Sequence, residues 1–552
     1  MIPPASLAGL TSYCRPLPGN LEGYPGIEIS TQCRDPHSPP LFRGRGAAWI
    51  GFCVSLLFLV FYQSRAEADL VSDLDAIIDS PKTPAALWGI RIEESKSGKV
   101  LYSRNGDLPF VPASVTKMVT TAVALDRLGP DYTFTTHIQF PFHQFPGNGV
   151  VHGDLQIIGG GDPTLGIAEG AGGRKILNQW ARQIAKEGVE RIKGDIVGVD
   201  SIFVDEPLGE GWAWDDENYA FSAQASGLTI HGGTVGYKID KNSKQRLKKG
   251  QIHLYPKSDY LTAKVTVTEE SRQVKIGRKR GSNHFVVEVP KQMRRNPAMS
   301  GKMTVNNPTA YTATLFREAL ERAGIAVEGK ALDRDQIQNY QKGRRQAGGM
   351  VWTHHSKPLS EILPLANKRS INLVAEHLLR AMGVRRNKAG EVSKRGSVGR
   401  GLQTIAQFMK RHKVKSYRYK MVDGSGLSRY NLFRPEDLNR LLRVMSQHPE
   451  AEVYRQSLAQ SGKDGTLTWR FRETPLEGRV WGKTGTLSSI QAIAGYLKSP
   501  KGQELTFTIM VNNYASGSRK IRNRVDRLLL KTAEWVDKSP PKRSGDKSRK
   551  GK

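Results

Sequence analysis

Ser114 and Lys117 stand three residues apart at the head of a run, Ser114 to Leu128, that reads as a helix, and that spacing places both side chains on one helical face. A serine hydroxyl is a weak nucleophile at neutral pH and needs a base beside it. A lysine amine serves as that base only when burial or nearby positive charge keeps it unprotonated. The chemistry within reach of such a pair is acyl transfer through a covalent serine intermediate. Alone, the Ser-x-x-Lys spacing is weak, because two polar residues so placed occur by chance in long chains. Two further patterns follow it. Ser370-Ile371-Asn372 lies at the mouth of another helical run, and Lys483-Thr484-Gly485-Thr486 precedes an apolar strand, Ile490 to Leu497. Taken singly, Ser370 also reads as a helix cap, and Lys483 to Gly485 as a turn into a strand.

In this order and on these elements, the three patterns resemble the trio of the class A β-lactamases and penicillin-binding proteins. The resemblance implies that Ser114 attacks and Lys117 takes its proton, while Ser370 and Asn372 relay protons and hold the substrate amide. Lys483 would bind the substrate's terminal carboxylate and join the relay, with Thr484 as a hydroxyl donor beside Gly485. An oxyanion would be received by the N–H of Ser114 and one from the strand after Gly485.

Further stretches narrow the resemblance: Gly159 to Leu165, Trp212-Ala213-Trp214-Asp215-Asp216 running to Phe221-Ser222-Ala223, Ala375-Glu376, Asp423 to Arg429, and Gly462 to Leu467. With these, most of residues 75 to 530 is similar to the D-alanyl-D-alanine carboxypeptidase/endopeptidase family, the class C low-molecular-mass penicillin-binding proteins of peptidase family S13. The 253 positions between Lys117 and Ser370 exceed those of compact β-lactamases and match the family's large insertion. The family uses residues of that insertion to bind the diamino-acid side chain of the stem peptide. By motif match these are Asp216 and Phe221, with Arg429 and Leu487 completing the pocket. A carboxylate and an arginine suit the ammonium and carboxylate of a zwitterionic end. Ser-Ile-Asn departs from the commoner Ser-Asp-Asn, and Gln224-Ala225 replaces a segment that frequently carries proline. The middle position of the second motif is expected to point away from the chemistry.

The fold class implied is α/β, a catalytic domain of the β-lactamase/penicillin-binding-protein type split by an insert with two extra domains, one a small all-β module. The catalytic parts are 69–138 and 345–537. The insert is 139–344, with the β module at about 232–303, where QIHLYP, AKVTVTEE, RQVKIGRK and HFVVEVP read as short strands between basic turns. Apolar residues at three and four spacing predict helices at Lys175–Glu187, Thr309–Ala323, Asn372–Met382, Gly401–Lys410 and Pro435–Met445, with the remainder mostly strand and loop.

The formal net charge is +31, which asks for an anionic partner. Nucleic acid is set aside, because no zinc-finger spacing, RNP-type aromatic motif or basic region with heptads is present. Ala47 to Tyr62 is the one strongly apolar run, with Arg43 and Arg45 before it and Ala66-Glu67-Ala68 after it. This reads as a signal peptide cleaved after Ala68, with an uncleaved anchor as the alternative. The Pro- and Gly-rich residues 1 to 40 are odd ahead of a signal peptide and suggest a later start. The protein is therefore expected to be exported, to the periplasm, with membrane association as a variant. All three cysteines precede the cleavage site, so the mature chain would hold no disulfide. Residues 538–552 carry seven Lys/Arg and too little apolar content to fold, and they serve either solubility or peripheral contact with an anionic membrane or wall.

No metal or organic cofactor is expected, since His-Glu-x-x-His is absent and Gly159 to Gly161 lacks the Gly-Lys-Ser/Thr of a phosphate loop. The partners implied are peptidoglycan stem peptides, with β-lactams as covalent inhibitors; the sequence leaves the oligomeric state open. Two rivals keep much of this reading: a β-lactamase with fast deacylation, and an inactive wall-binding protein.

Overall fold

The computed structural model describes residues 69–538 apart from 168–173, 240–251, 270–271, 292–298, 338–348, 415 and 516. The apolar run 47–62, its cleavage triplet and residues 539–552 of the basic tail lie outside the described residues. Among the described residues, no helix is long and apolar enough to cross a membrane.

A six-stranded antiparallel sheet joins the two ends of the chain. Its order is Ala459–Gln460, Val480–Leu487, Ile490–Lys498, Glu504–Asn512, Leu87–Glu94, Val100–Arg104. The pairing of Leu87–Glu94 with Glu504–Asn512 runs over eight residue pairs, from Leu87↔Asn512 to Glu94↔Leu505. Both faces of the sheet are covered, so the strand Ile490–Lys498 is buried over all but its last residue. Its side chains alternate. Ala492, Ala494 and Tyr496 join the core that includes the helices Thr116–Leu128, Asn372–Met382 and Pro435–Ser446. Ile493 and Leu497 face the opposite core, closed by the helix Ser518–Lys538.

Two strands at the expected inner ends of the catalytic parts pair with each other and share a sheet with strands of the expected insert. Thr135–Gln139, on the way out, pairs antiparallel with Val351–His355, on the way back, inside a five-stranded sheet that also holds Leu155–Gly159, Ile196–Val199 and Ala331–Asp333. The helices Lys175–Lys186 and Pro308–Arg322 pack on this sheet through Leu177, Trp180, Tyr311 and Phe316. Between Thr234 and Thr304 lie two three-stranded sheets, which share a small core of Ile239, Val287 and Val289. One of them contains a parallel pair, Thr262–Thr268 with His284–Pro290, which alternation of apolar residues does not reveal.

The five helices expected from periodicity are present within a few residues of the expected bounds. Three helices were expected as strand or loop. Leu359–Asn367 carries an internal proline, Pro364, and Ala451–Ser457 is only seven residues long. Ser518–Lys538 is so rich in Arg and Lys that its apolar stripe of Ile521, Val525, Leu528 and Leu529 is diluted. Lys538, expected as the first residue of a disordered tail, is the last residue of this helix.

Candidate active site

Ser114 sits in a single 3-10 turn, Ala113–Val115, that runs straight into the helix Thr116–Leu128. Ala113 holds a left-handed backbone, φ 48°, a conformation that costs a residue with a Cβ. The turn is braced from three sides. Thr116 Oγ1 donates to the Ala113 carbonyl (2.9 Å), and Thr120 Oγ1 donates to the Gly424 carbonyl (2.7 Å). Two glycines let neighbouring backbone close on it. A Cβ on Gly426 (φ 77°) would stand 1.9 Å from the Ala113 carbonyl oxygen, and one on Gly485 would stand 2.6 Å from the Pro112 carbonyl oxygen.

Lys117 is fully buried beneath the serine. Its Nζ lies 2.9 Å from Ser114 Oγ, 2.6 Å from Asn372 Oδ1 and 2.6 Å from the Ser425 carbonyl. Burial pushes its pKa down from 10.5 to about 7, against the opposing pull of Asp423 and Glu376. The second lysine, Lys483, is also fully buried, in the strand Val480–Leu487. It donates to Ser370 Oγ (2.9 Å) and to the Thr484 carbonyl (2.8 Å). Burial holds it well below its ordinary value, and the charge of Lys117 adds to the effect. Ser370 has a left-handed backbone, φ 58°, just before the helix Asn372–Met382. The structure thus brings three distant stretches of chain together, with Ser114, Lys117 and Asn372 in one hydrogen-bonded group, Ser370 and Lys483 in a second, and the two lysines near enough for their charges to interact. Thr484 points its hydroxyl to Thr466 Oγ1 at 2.9 Å.

Of the four residues expected to form a side-chain pocket, Phe221 touches Asn372 directly, and Leu487, Arg429 and Asp216 are linked to one another. Phe221 is half exposed and stacked on Tyr219, with centroids 5.3 Å apart, and its carbonyl accepts from Asn372 Nδ2 at 2.7 Å. Leu487 ends the strand that carries Lys483, and the next residue, Ser488, accepts at its carbonyl from Arg429 (2.9 Å). Asp216 is partly exposed; burial and Asp215 raise its pKa while the charge of Arg429 lowers it.

Several supporting residues had no role in the sequence reading. Glu376, buried in the helix Asn372–Met382, accepts the backbone N–H groups of Gly424 (3.0 Å) and Ser425 (2.9 Å) on one oxygen and Arg380 (3.1 Å) on the other. It therefore fixes the loop whose Ser425 carbonyl holds Lys117. Asp423 accepts from Gly426, Ser428, Asn431 and the Trp212 indole, all within 2.7 to 3.0 Å. The available signals were a carboxylate on a helix of mostly apolar residues, one turn before Arg380, and an acid opening the turn Asp423-Gly424-Ser425-Gly426. Ile371, the departure in the second motif, packs against Ala223, Ala225 and Leu373 and against the main helical core.

Asp200, Asp333 and Asp335 have oxygens close enough to share a cation. Asp200 already accepts from Ser226 and Thr309, Asp333 from Asn307, and none of the three is bonded to the Ser114 cluster.

Comparison with known proteins covers nearly all the described chain. The D-Ala-D-Ala carboxypeptidase 3 (S13) family profile matches residues 70–532. The chain is 32% identical over 490 residues to the D-alanyl-D-alanine carboxypeptidase of Actinomadura sp. (strain R39), with 86% of each chain covered. Its fold matches that of penicillin binding protein 4 from Haemophilus influenzae with a TM-score of 0.70 at 22% identity, over 85% of this chain and 99% of that one. The same H. influenzae protein in complex with a β-lactam matches with a TM-score of 0.66 at 22% identity, over 84% and 98% of the two chains.

Proposed function

The chain belongs to the D-Ala-D-Ala carboxypeptidase 3 (S13) family, and from that premise we propose that it cuts D-Ala-D-Ala bonds of peptidoglycan stem peptides through an acyl-enzyme on Ser114. The observation that carries this reading is the environment of Lys117. A neutral amine has two N–H bonds and one lone pair, and two of its three partners, the Asn372 and Ser425 carbonyl oxygens, can only accept. The lone pair is left for the third partner, the Ser114 hydroxyl at 2.9 Å. A pKa near 7 keeps the neutral form available at neutral pH.

As Ser114 Oγ attacks the carbonyl carbon of the penultimate D-Ala, its proton passes to Lys117. The oxyanion is received by the N–H of Ser114 and one from the strand after Gly485. When the C–N bond breaks, the proton on Lys117 passes through Ser370 to the leaving D-Ala amine, and Lys117 is neutral again. Water then gives a proton to Lys117 as it attacks the acyl carbon, and the bond from that carbon to Ser114 Oγ breaks. Lys117 returns the proton to Ser114 Oγ, and the shortened peptide leaves with a new carboxyl group. Lys483 and Thr484 hold the terminal carboxylate. Among the described residues no carboxylate is bonded to Lys483, and its pKa is depressed. An arriving carboxylate favours its charged form, so substrate binding and protonation of Lys483 reinforce each other.

The same site would accept the D-Ala-to-diamino-acid bond of a cross-link, giving endopeptidase activity, with Asp216, Phe221, Arg429 and Leu487 around the diamino-acid end. β-Lactams would acylate Ser114 as substrate mimics, a reading supported by the β-lactam complex of the H. influenzae relative. Action on peptidoglycan requires export, which the apolar run Ala47 to Tyr62 and Ala66-Glu67-Ala68 would supply. The test is labelling with fluorescent penicillin, beside thermal melting. Stable label on the wild type and none on a folded Ser114→Ala protein is the expected result. Rapid loss of label would mean a β-lactamase, and no label on the wild type an inactive binding protein.

A further inference from the structure

Between the 3-10 turn Gly465–Leu467 and the strand Val480–Leu487, the chain leaves Trp469 78% exposed, with the Arg472 guanidinium 4.1 Å from its ring centroid. An indole left in water forgoes the stabilisation its area would gain by burial, and this one stands on a braced loop. Phe471 is buried in the core beneath the sheet, and Arg470 pairs with Asp526 of the helix Ser518–Lys538. Arg472 Nε donates to the Thr468 carbonyl (2.9 Å), and Thr474 Oγ1 to the Phe471 carbonyl (2.7 Å). Phe471 and Glu473 both hold left-handed backbone, φ 61° and 56°, which side-chain-bearing residues adopt only when their surroundings enforce it. The outcome of this bracing is an indole presented outward.

The neighbouring helix adds positive charge. Arg522 and Arg519 are exposed and lie four and seven residues before Asp526, on the same helical face. No acid offsets them in the first turn, where the helix dipole disfavours cations, so local helix stability does not account for them. On its other side the loop adjoins the cluster around Ser114, since Thr466, three residues before Trp469, shares a 2.9 Å hydrogen bond with Thr484.

We propose that Trp469, Arg472, Arg519 and Arg522 form a docking surface for an anionic glycopeptide polymer, the part of the substrate beyond the bond being cut. One indole face is covered by Arg472, and the other is open to stack on the C–H face of a sugar ring. The three guanidinium groups pair with carboxylates of the polymer. Continuity with the residues around Ser114 through Thr466 and Thr484, together with a braced indole among cations, favours a polymer threaded towards Ser114 over a lipid surface. The identity of the polymer rests on the function proposed above; the surface itself does not.

The experiment compares wild type, Trp469→Ala and the double variant Arg519→Glu/Arg522→Glu. Co-sedimentation with insoluble peptidoglycan is measured at low and high salt, in an active and a Ser114→Ala background. Hydrolysis of that polymer, hydrolysis of a soluble D-Ala-D-Ala peptide, penicillin labelling and melting temperature are measured alongside. Each variant should bind and turn over the polymer about tenfold less well, the scale of losing an aromatic or arginine anchor. Wild-type binding should weaken with salt, while soluble-peptide hydrolysis, labelling and melting stay as in wild type. Polymer binding unchanged in both variants, or an equal loss on the soluble peptide, would overturn the proposal. So would vesicles of phosphatidylglycerol that bind wild type but not the variants while polymer binding persists, which would assign the surface to a membrane. Wild type that sediments with the polymer yet neither labels nor hydrolyses would refute the acyl-enzyme reading and leave the docking surface standing.

Discussion

Asn372 donates its Nδ2 to the backbone carbonyl of Phe221, 151 residues earlier in the chain, at 2.7 Å. Its Oδ1 accepts from Lys117 at 2.6 Å, so one amide ties the insert to the buried amine beside Ser114. Both ends of this amide are engaged within the protein. Substrate held by Asn372, as the family resemblance implies, must share or displace one of these bonds.

Asn372→Asp keeps the shape and exchanges the amide for a carboxylate. The donor to Phe221 is lost, and a negative charge arrives beside Lys117. An opposite charge that close raises a lysine pKa by about one to three units. Penicillin acylation at pH 7 should fall by about tenfold or more and recover as the pH is raised. A pH profile that superimposes on that of wild type would show that Lys117 does not set the acylation rate.

In the wild type, acylation should fall about tenfold per pH unit below about 7, where Lys117 becomes charged and cannot accept the serine proton. The same shift bears on stability. The folded pKa of about 7 lies below the ordinary 10.5, so between these values the unfolded chain binds the extra proton, and stability rises with pH across that window. Lys117→Met should abolish acylation and remove this part of the slope. Melting curves of the two proteins from pH 7 to pH 10 measure the difference, and parallel curves would contradict the shift.

Glu376→Gln removes a buried carboxylate that serves Gly424, Ser425 and Arg380. A glutamine oxygen cannot satisfy all three donors, and Arg380 is left buried without its counter-charge. Breaking a buried pair in this way costs about 3–5 kcal/mol, read as a lower midpoint in denaturant unfolding. Acylation should also slow, because the Ser425 carbonyl no longer holds Lys117 in place. Wild-type stability in this variant would mean that the loop is held by other contacts.

The reach of the sequence follows from which interactions are local. Ser114 and Lys117 are separated by one helical turn, so their contact is written in the spacing. The helix Asn372–Met382 was legible because its apolar residues recur with helical period. Glu376 and Asp423 act on backbone N–H groups, Glu376 on groups 48 and 49 residues away, and no residue pattern announces such partners. Ile371 looked like a departure at a chemical position, and its place in the small apolar cluster with Ala223 and Ala225 accounts for it. Thr484, read as a donor to substrate, meets Thr466, 18 residues earlier, a pairing that needs the folded chain.

Export is decided by the mature N-terminus. Cleavage after Ala68 predicts Asp69 as the first residue of protein recovered outside the cytoplasm. N-terminal sequencing reads this directly. Recovery of residues 1 to 40 on that protein would refute both the processing and the later start.

The last prediction concerns the diamino-acid end of the substrate. Asp216 senses the charge of Arg429, and Arg429 is anchored on the Ser488 carbonyl beside Leu487. An ammonium would pair with the first and a carboxylate with the second, and a hydrogen bond to a charged group contributes about 1.5–3 kcal/mol. Each of Asp216→Ala and Arg429→Ala should therefore lose about tenfold to a hundredfold in kcat/KM on a peptide with a free diamino-acid end. Neither should change on a peptide lacking that end, nor in penicillin acylation, because neither of those ligands carries the zwitterion. Arg429→Lys keeps the charge but not the planar fork, and it should retain part of the preference. Should Asp216→Ala discriminate between the two peptides as well as wild type, the side chain of the substrate is recognised elsewhere.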